Sequence, residues 1–79
     1  MSTFTVGLDL GQASDYTALS VIATDGPQMH IVTLARERGT AYTAISARTA
    51  KLLATPPLSG GCALVVDATG VGLAVLDLL

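Results

Sequence analysis

The stretch Phe4-Thr5-Val6-Gly7-Leu8-Asp9-Leu10-Gly11 constrains the fold more than any other part of the chain. Phe4, Val6, Leu8 and Leu10 alternate with Thr3, Thr5, Gly7 and Asp9, the two-residue period of a strand with two distinct faces. Asp9 falls at the carboxyl end of that strand, on its small and polar face. A second stretch has the same shape: Cys62-Ala63-Leu64-Val65-Val66-Asp67, followed by Ala68-Thr69-Gly70-Val71-Gly72. An acid at the tip of an apolar strand, twice in one short chain, implies two strands brought side by side.

With 79 residues there is room for one small domain. Half of them are hydrophobic and 13% are charged, which excludes a disordered or tail-like chain. The last residues, Val75-Leu76-Asp77-Leu78-Leu79, stand inside an apolar helical pattern without a capping glycine or a basic last turn. The expectation is that residues 1–79 are the N-terminal part of a single longer domain, truncated at its C-terminus. The alternative is a complete small domain that buries its last helix in a homo-oligomer, through apolar surface. A net charge of −2 leaves no overall basic footprint for nucleic acid. Cys62 is the single cysteine, so an internal disulfide and a multi-thiolate zinc site are excluded, and burial is its expected fate. No basic segment precedes an apolar run as in a secretory leader, and no apolar run reaches the ~18 residues of a membrane helix. The expected location is the cytoplasm, with no membrane partner.

Taken in order, residues 3–10 form the first strand and Gly11-Gln12-Ala13-Ser14-Asp15 a polar turn. Tyr16 to Ala23 reads as a second strand, apolar on both faces as for a strand covered on both sides. Thr24-Asp25-Gly26-Pro27 is a hairpin turn, and Met29 to Ala35 a third strand carrying His30 at a surface or edge. Short links make these three an antiparallel meander. Thr40 is the expected cap of a helix running to about Ala54. In it Tyr42, Ile45, Thr49, Leu52 and Leu53 share a face, and the alanines at 41, 44, 47, 50 and 54 permit close packing on a sheet. Pro56-Pro57 ends the helix, Ser59-Gly60-Gly61 is a flexible link, residues 62–67 are a fourth strand, and Gly70 to Leu79 begin a second helix. After a helical crossover the fourth strand should lie parallel to the first and beside it. The fold class is therefore α/β, a β-β-β-α-β-α start of a mixed sheet with strand order 3-2-1-4. Both acids then meet on the edge where open α/β sheets bind ligands.

Neighbouring strand axes are ~4.8 Å apart. Two carboxylates ~4 Å apart repel by ~4 kcal/mol at an effective dielectric near 20. Such a pair persists when one acid holds a proton or a cation lies between them. Oxygen-only ligands suit Mg²⁺ or Mn²⁺, and a pair of such ions clamps the attacking and leaving oxygens of phosphodiester hydrolysis. Either Asp alone is as well explained as a turn residue or helix cap. Together, Asp9 and Asp67 are candidate metal ligands and catalytic residues. Gly11, Gly70 and Gly72 leave backbone bare near that edge, where amides at a helix start can accept a phosphate. Asp15, in the turn, is either a turn-stabilising residue or an orienting group for a metal-bound water. A Walker loop is excluded by the missing Lys-Ser/Thr, and Val75 in place of the last Gly or Ala counts against a dinucleotide fingerprint. Arg36, Arg38, Arg48 and Lys51 read as solvated cations rather than a phosphate patch.

Three segments, Val6-Gly7-Leu8-Asp9-Leu10-Gly11, Asp15-Tyr16-Thr17-Ala18-Leu19-Ser20-Val21-Ile22 and Val65-Val66-Asp67-Ala68-Thr69-Gly70-Val71-Gly72, resemble the C-terminal nuclease domain of phage terminase large subunits, a ribonuclease H-like fold. The resemblance implies a divalent-metal-dependent endonuclease that cuts double-stranded DNA during packaging, with two Mg²⁺ or Mn²⁺ ions. Asp9 matches the family's first acid and Asp67 its second. It implies further partners: other terminase subunits, or the rest of its own domain. It also implies a third acid, which no residue here matches, since Asp77 comes too early; the piece alone is then expected to bind metal weakly and cut poorly. Sugar kinases, actin and heat-shock chaperone ATPases open with a similar strand-Asp-Leu-Gly phosphate loop, matched here by Leu8-Asp9-Leu10-Gly11 but followed by Gln12-Ala13 where Thr or Ser is usual. Holliday-junction resolvases share the fold, and a packing module without catalysis is the remaining alternative.

Overall fold

The computed structural model describes residues 2–11 and 15–67. Strand β1 spans Thr3–Asp9, β2 Thr17–Asp25 and β3 Gln28–Glu37. Helix α1 covers Tyr42–Leu53, a 3-10 turn Leu58–Gly60, and β4 Ala63–Asp67. The four strands form one sheet in the order β3-β2-β1-β4, with β1 antiparallel to β2 and parallel to β4. The expected sheet order and strand directions are thus present. The second helix expected over residues 70–79 lies outside the described residues. Among the described residues, no helix is long and apolar enough to cross a membrane.

The sheet's two faces follow from the alternation in β1. Val6 and Leu8 turn inward under α1, and Val6 is fully buried. One cluster joins Val6, Val21 and Leu58, with Phe4, Leu19, Leu52 and Leu53 against it. A second joins Leu8, Leu10 and Ile45, with Tyr42 and Val66 against it. Burying a Val, Leu or Ile side chain contributes about 1.5–3 kcal/mol, so these few residues hold helix to sheet. The helical face expected from Tyr42, Ile45, Thr49, Leu52 and Leu53 is the one that packs. Thr49, buried, donates its hydroxyl to the Ile45 carbonyl at 2.8 Å, so its polar atom costs little there.

Several local expectations are corrected. Thr40 does not cap α1: Ala41 occupies the N-cap without a side-chain bond, and the Thr40 hydroxyl donates instead to Glu37 Oε2 at 2.6 Å. The alanines at 41, 44, 47, 50 and 54 are exposed, because the apolar stripe turns the other side of the helix to the sheet. The link at Ser59-Gly60-Gly61 is not slack: Leu58–Gly60 is a 3-10 turn whose Leu58 plugs the core, and Ser59 N–H donates to Thr55 O at 3.1 Å. Cys62 is exposed rather than buried, just before β4, which is an edge among the described strands.

The opposite face of the sheet is open. Opposite β2, the β3 ladder steps from Thr33 to Ile31, leaving Val32 without a partner. That bulge carries Leu34, opposite Ser20, and Ile31, opposite Ile22, to the same face. Met29, Ile31, Leu34 and, on β4, Val65 are each at least 60% exposed.

Candidate nuclease-like site

The parallel ladder between β1 and β4 runs Thr5–Ala63, Val6–Leu64, Gly7–Val65, Leu8–Val66 and Asp9–Asp67. The two acids are therefore direct neighbours at the carboxyl ends of adjacent strands. Leu10 N–H donates to the Asp67 carbonyl at 2.9 Å, locking that register one step past the acids. Because side chains alternate, Asp9 and Asp67 share the open face with Gly7, Ala18, Ser20 and Val65. Both acids are exposed. They line a shallow depression of about 270 Å³ with Gly7, Ala18, Ser20, Leu34 and Val65. Small residues make the hollow: a Cβ on Gly7 would stand 2.7 Å from Ser20 Oγ.

The turn after β1 is built on Gly11. A Cβ there would stand 2.4 Å from the Tyr16 carbonyl oxygen and 2.6 Å from that of Asp15, so returning backbone requires glycine. Gly11 N–H donates to Thr17 Oγ1 at 3.0 Å, and Tyr42 Oη donates to Gly11 O at 2.6 Å. The amide expected to be open to a phosphate is thus engaged by Thr17. Asp15 lines a different depression, with Gly11, Thr17, Gly39, Thr40, Ala41 and Tyr42, by the start of α1. Gly70 and Gly72 lie outside the described residues. Among the described residues, no three of His, Cys, Asp and Glu cluster as a metal cage would need.

The cations are not simply solvated. Arg48 pairs with Glu37, whose carboxyl is held below its ordinary range by the Thr40 hydroxyl and then by Arg48. Arg36 and Arg38 both lie over the Tyr16 ring, with Cζ 4.5 and 5.0 Å from its centroid. The ladder pairs Thr17 with Glu37 and Ala18 with Arg36, so Tyr16 falls opposite Arg38 one step further out. The bulge at Val32 sets this register: counted residue by residue from the turn, Tyr16 would fall opposite Glu37, so the sequence carried no signal for the trio.

No family model and no curated protein matches the chain. Among solved structures, it is similar to the large terminase nuclease from thermophilic phage G20c, with a TM-score of 0.76 and 27% sequence identity. The match covers 99% of this chain and 39% of that one. By this structural match the chain is similar to a phage large-terminase nuclease, and its fold is ribonuclease H-like.

Proposed function

We propose that the chain is the N-terminal part of a divalent-metal-dependent endonuclease domain that hydrolyses phosphodiesters of double-stranded DNA in a phage terminase-like protein. The observation that carries this is the in-register pairing of Asp9 with Asp67 at the ends of parallel strands. An acid tip on either strand alone has ordinary explanations; adjacent tips on one face have a cost that a cation removes. The residues fit Mg²⁺ or Mn²⁺: all donors are oxygens, both carboxylates are exposed, and a small-residue hollow leaves room for water and a substrate phosphate. When bound, such an ion lowers the cost of charge on the attacking and leaving oxygens. Asp9 and Asp67 hold it from two strands, while Gly7, Ala18 and Ser20 keep the approach open. Asp15 lines the separate depression by the start of α1, which fits the turn-stabilising role rather than a water on the acids' face.

The chain spans 39% of the terminase nuclease it matches, which supports assigning residues 1–79 to one part of a single domain. The exposed Met29 and Ile31, on the same face but outside the hollow, are then where the remainder of that domain, other terminase subunits or a second copy would pack. The phosphate-loop ATPase alternative is disfavoured by the occupied Gly11 amide. Mn²⁺ titration followed by NMR tests the proposal: paramagnetic broadening should centre on Asp9 and Asp67. Unchanged signals at both in millimolar Mn²⁺ would overturn it.

A further inference from the structure

The residues Arg36, Ala18, Asp9 and Asp67 form a single row across the sheet: Arg36 pairs with Ala18, Ala18 with Asp9, and Asp9 with Asp67. All four stand on the open face, at one rim. Arg36 is two strands from Asp9, about 10 Å at ~4.8 Å per strand. Tyr16 and Arg38 flank it one step outward. The protein has four Lys and Arg residues in all, and two of them are gathered on this ring beside the acids. Each guanidinium lies within the ~6 Å of a ring centroid at which a cation is attracted to an aromatic face. Two cations on one ring also stand within roughly a Debye length of each other, about 10 Å at 0.1 M salt, so they repel. An anion between them removes that repulsion, and the flat guanidinium fork matches phosphate oxygens two at a time. The acid pair, conversely, repels a polyanion unless cations nearby offset it.

We propose that Tyr16, Arg36 and Arg38 form a backbone-phosphate clamp that holds the DNA strand across the open face beside Asp9 and Asp67. The clamp rests on the nuclease reading for its substrate, but its binding is independent of metal. Tyr16 sets the two guanidiniums in place; Arg36 and Arg38 contact phosphates on one side of the position the acids face. The contacts are to backbone, so they carry no sequence preference.

The test is fluorescence anisotropy of a labelled DNA duplex with the full protein in EDTA, across a series of salt concentrations. The double variant Arg36→Ala with Arg38→Ala should lower the slope of log K against log salt by nearly 2, and weaken binding roughly 50-fold at 0.1 M salt. Tyr16→Phe should bind as wild type, and Tyr16→Ala should lose affinity several-fold with little change of slope. Arg48→Ala and Lys51→Ala, away from the ring, should lower the slope by less than 1 between them. An unchanged slope in the double variant, an equal loss in Arg48→Ala with Lys51→Ala, or no duplex binding by wild type would overturn the clamp. An unchanged circular dichroism spectrum and urea midpoint in the double variant report that the sheet is intact. Asp9→Asn should lose the Mn²⁺ response and keep the DNA slope. Absence of any Mn²⁺ response with the slope change present would leave the clamp standing and remove the nuclease reading.

Discussion

Replacing Asp9 with Asn keeps the side chain's shape and removes one of two neighbouring charges. Asp9 and Asp67 stand opposite each other on parallel strands ~4.8 Å apart. Both are exposed, so a water-like dielectric applies, and Coulomb's law gives a repulsion of about 1 kcal/mol. Screening over a Debye length of ~8 Å at 0.15 M salt halves it. Without metal, Asp9→Asn should therefore be more stable than wild type by about 0.5–1 kcal/mol. With Mn²⁺ at ten times its dissociation constant, the intact pair gains about 1.4 kcal/mol from mass action, and the variant gains little. The order of stability of the two proteins should then invert between EDTA and Mn²⁺. Urea denaturation of each protein in both buffers measures this directly. In a small domain 1 kcal/mol moves the melting temperature by about 4–8 °C, so thermal melts resolve it as well. If Asp9→Asn is the less stable protein in EDTA, Asp9 is a structural turn acid. If both proteins respond alike to Mn²⁺, the ion binds elsewhere. Either result refutes the argument from paired strand tips.

Three further outcomes follow from the turn and from the strand-helix connection. Gly11→Ala should destabilise the protein by about 1–3 kcal/mol in urea unfolding, because the added carbon meets the Tyr16 and Asp15 carbonyl oxygens, which belong to backbone and cannot swing aside. Tyr42→Phe removes the hydroxyl that reaches Gly11 O from α1 and should cost about 1 kcal/mol in the same assay. The Glu37 carboxyl is held low by the Thr40 hydroxyl and by Arg48, so its contribution to stability is complete above its ordinary pKa of 4.5 and is lost as pH falls through the lowered folded value. Thr40→Ala should flatten that acid limb of a stability-pH profile without altering the plateau's dependence on pH.

What could be read in the sequence was whatever a two-residue or 3.6-residue period encodes. The alternation around Val6 and Leu8 names the buried face of β1, and the spacing of Tyr42, Ile45, Thr49, Leu52 and Leu53 names the packed face of α1. Short links and one helical crossover then leave few sheet orders, and 3-2-1-4 is the one present. The errors came where two partners compete for one group. Thr40 looks like a cap because hydroxyls cap helices, but Ala41 holds the N-cap position and the Thr40 hydroxyl donates to Glu37 at the end of β3. Gly11 looks like an open phosphate loop, but Thr17 fills the amide from the start of β2. The β3 bulge at Val32 has no local signature, and without it Leu34 would face α1 instead of joining Ile31 on the open side. The apolar neighbours of Cys62 suggest burial, but they lie on β4, an edge among the described strands, and Cys62 is exposed.

The placement of Ala18 bears on why acids and arginines coexist on one rim. It stands between Asp9 on β1 and Arg36 on β3, in the row that ends at Asp67. A cation directly opposite Asp9 would be one strand away, about 5 Å, close enough to pair with it and compete with a metal ion. Two strands of separation put the charges about 10 Å apart at the backbone, near the Debye length at 0.1 M salt. At that distance their direct attraction is weak, while a polyanion several ångströms long can feel both. The Tyr16 ring strengthens the separation by giving the Arg36 guanidinium an aromatic surface within 4.5 Å to rest on. A small residue at position 18 also keeps the hollow beside the acids open, where a larger side chain would fill it. The geometry thus sets opposite charges in one line without letting them cancel, an arrangement suited to holding a metal ion at one end and phosphates at the other.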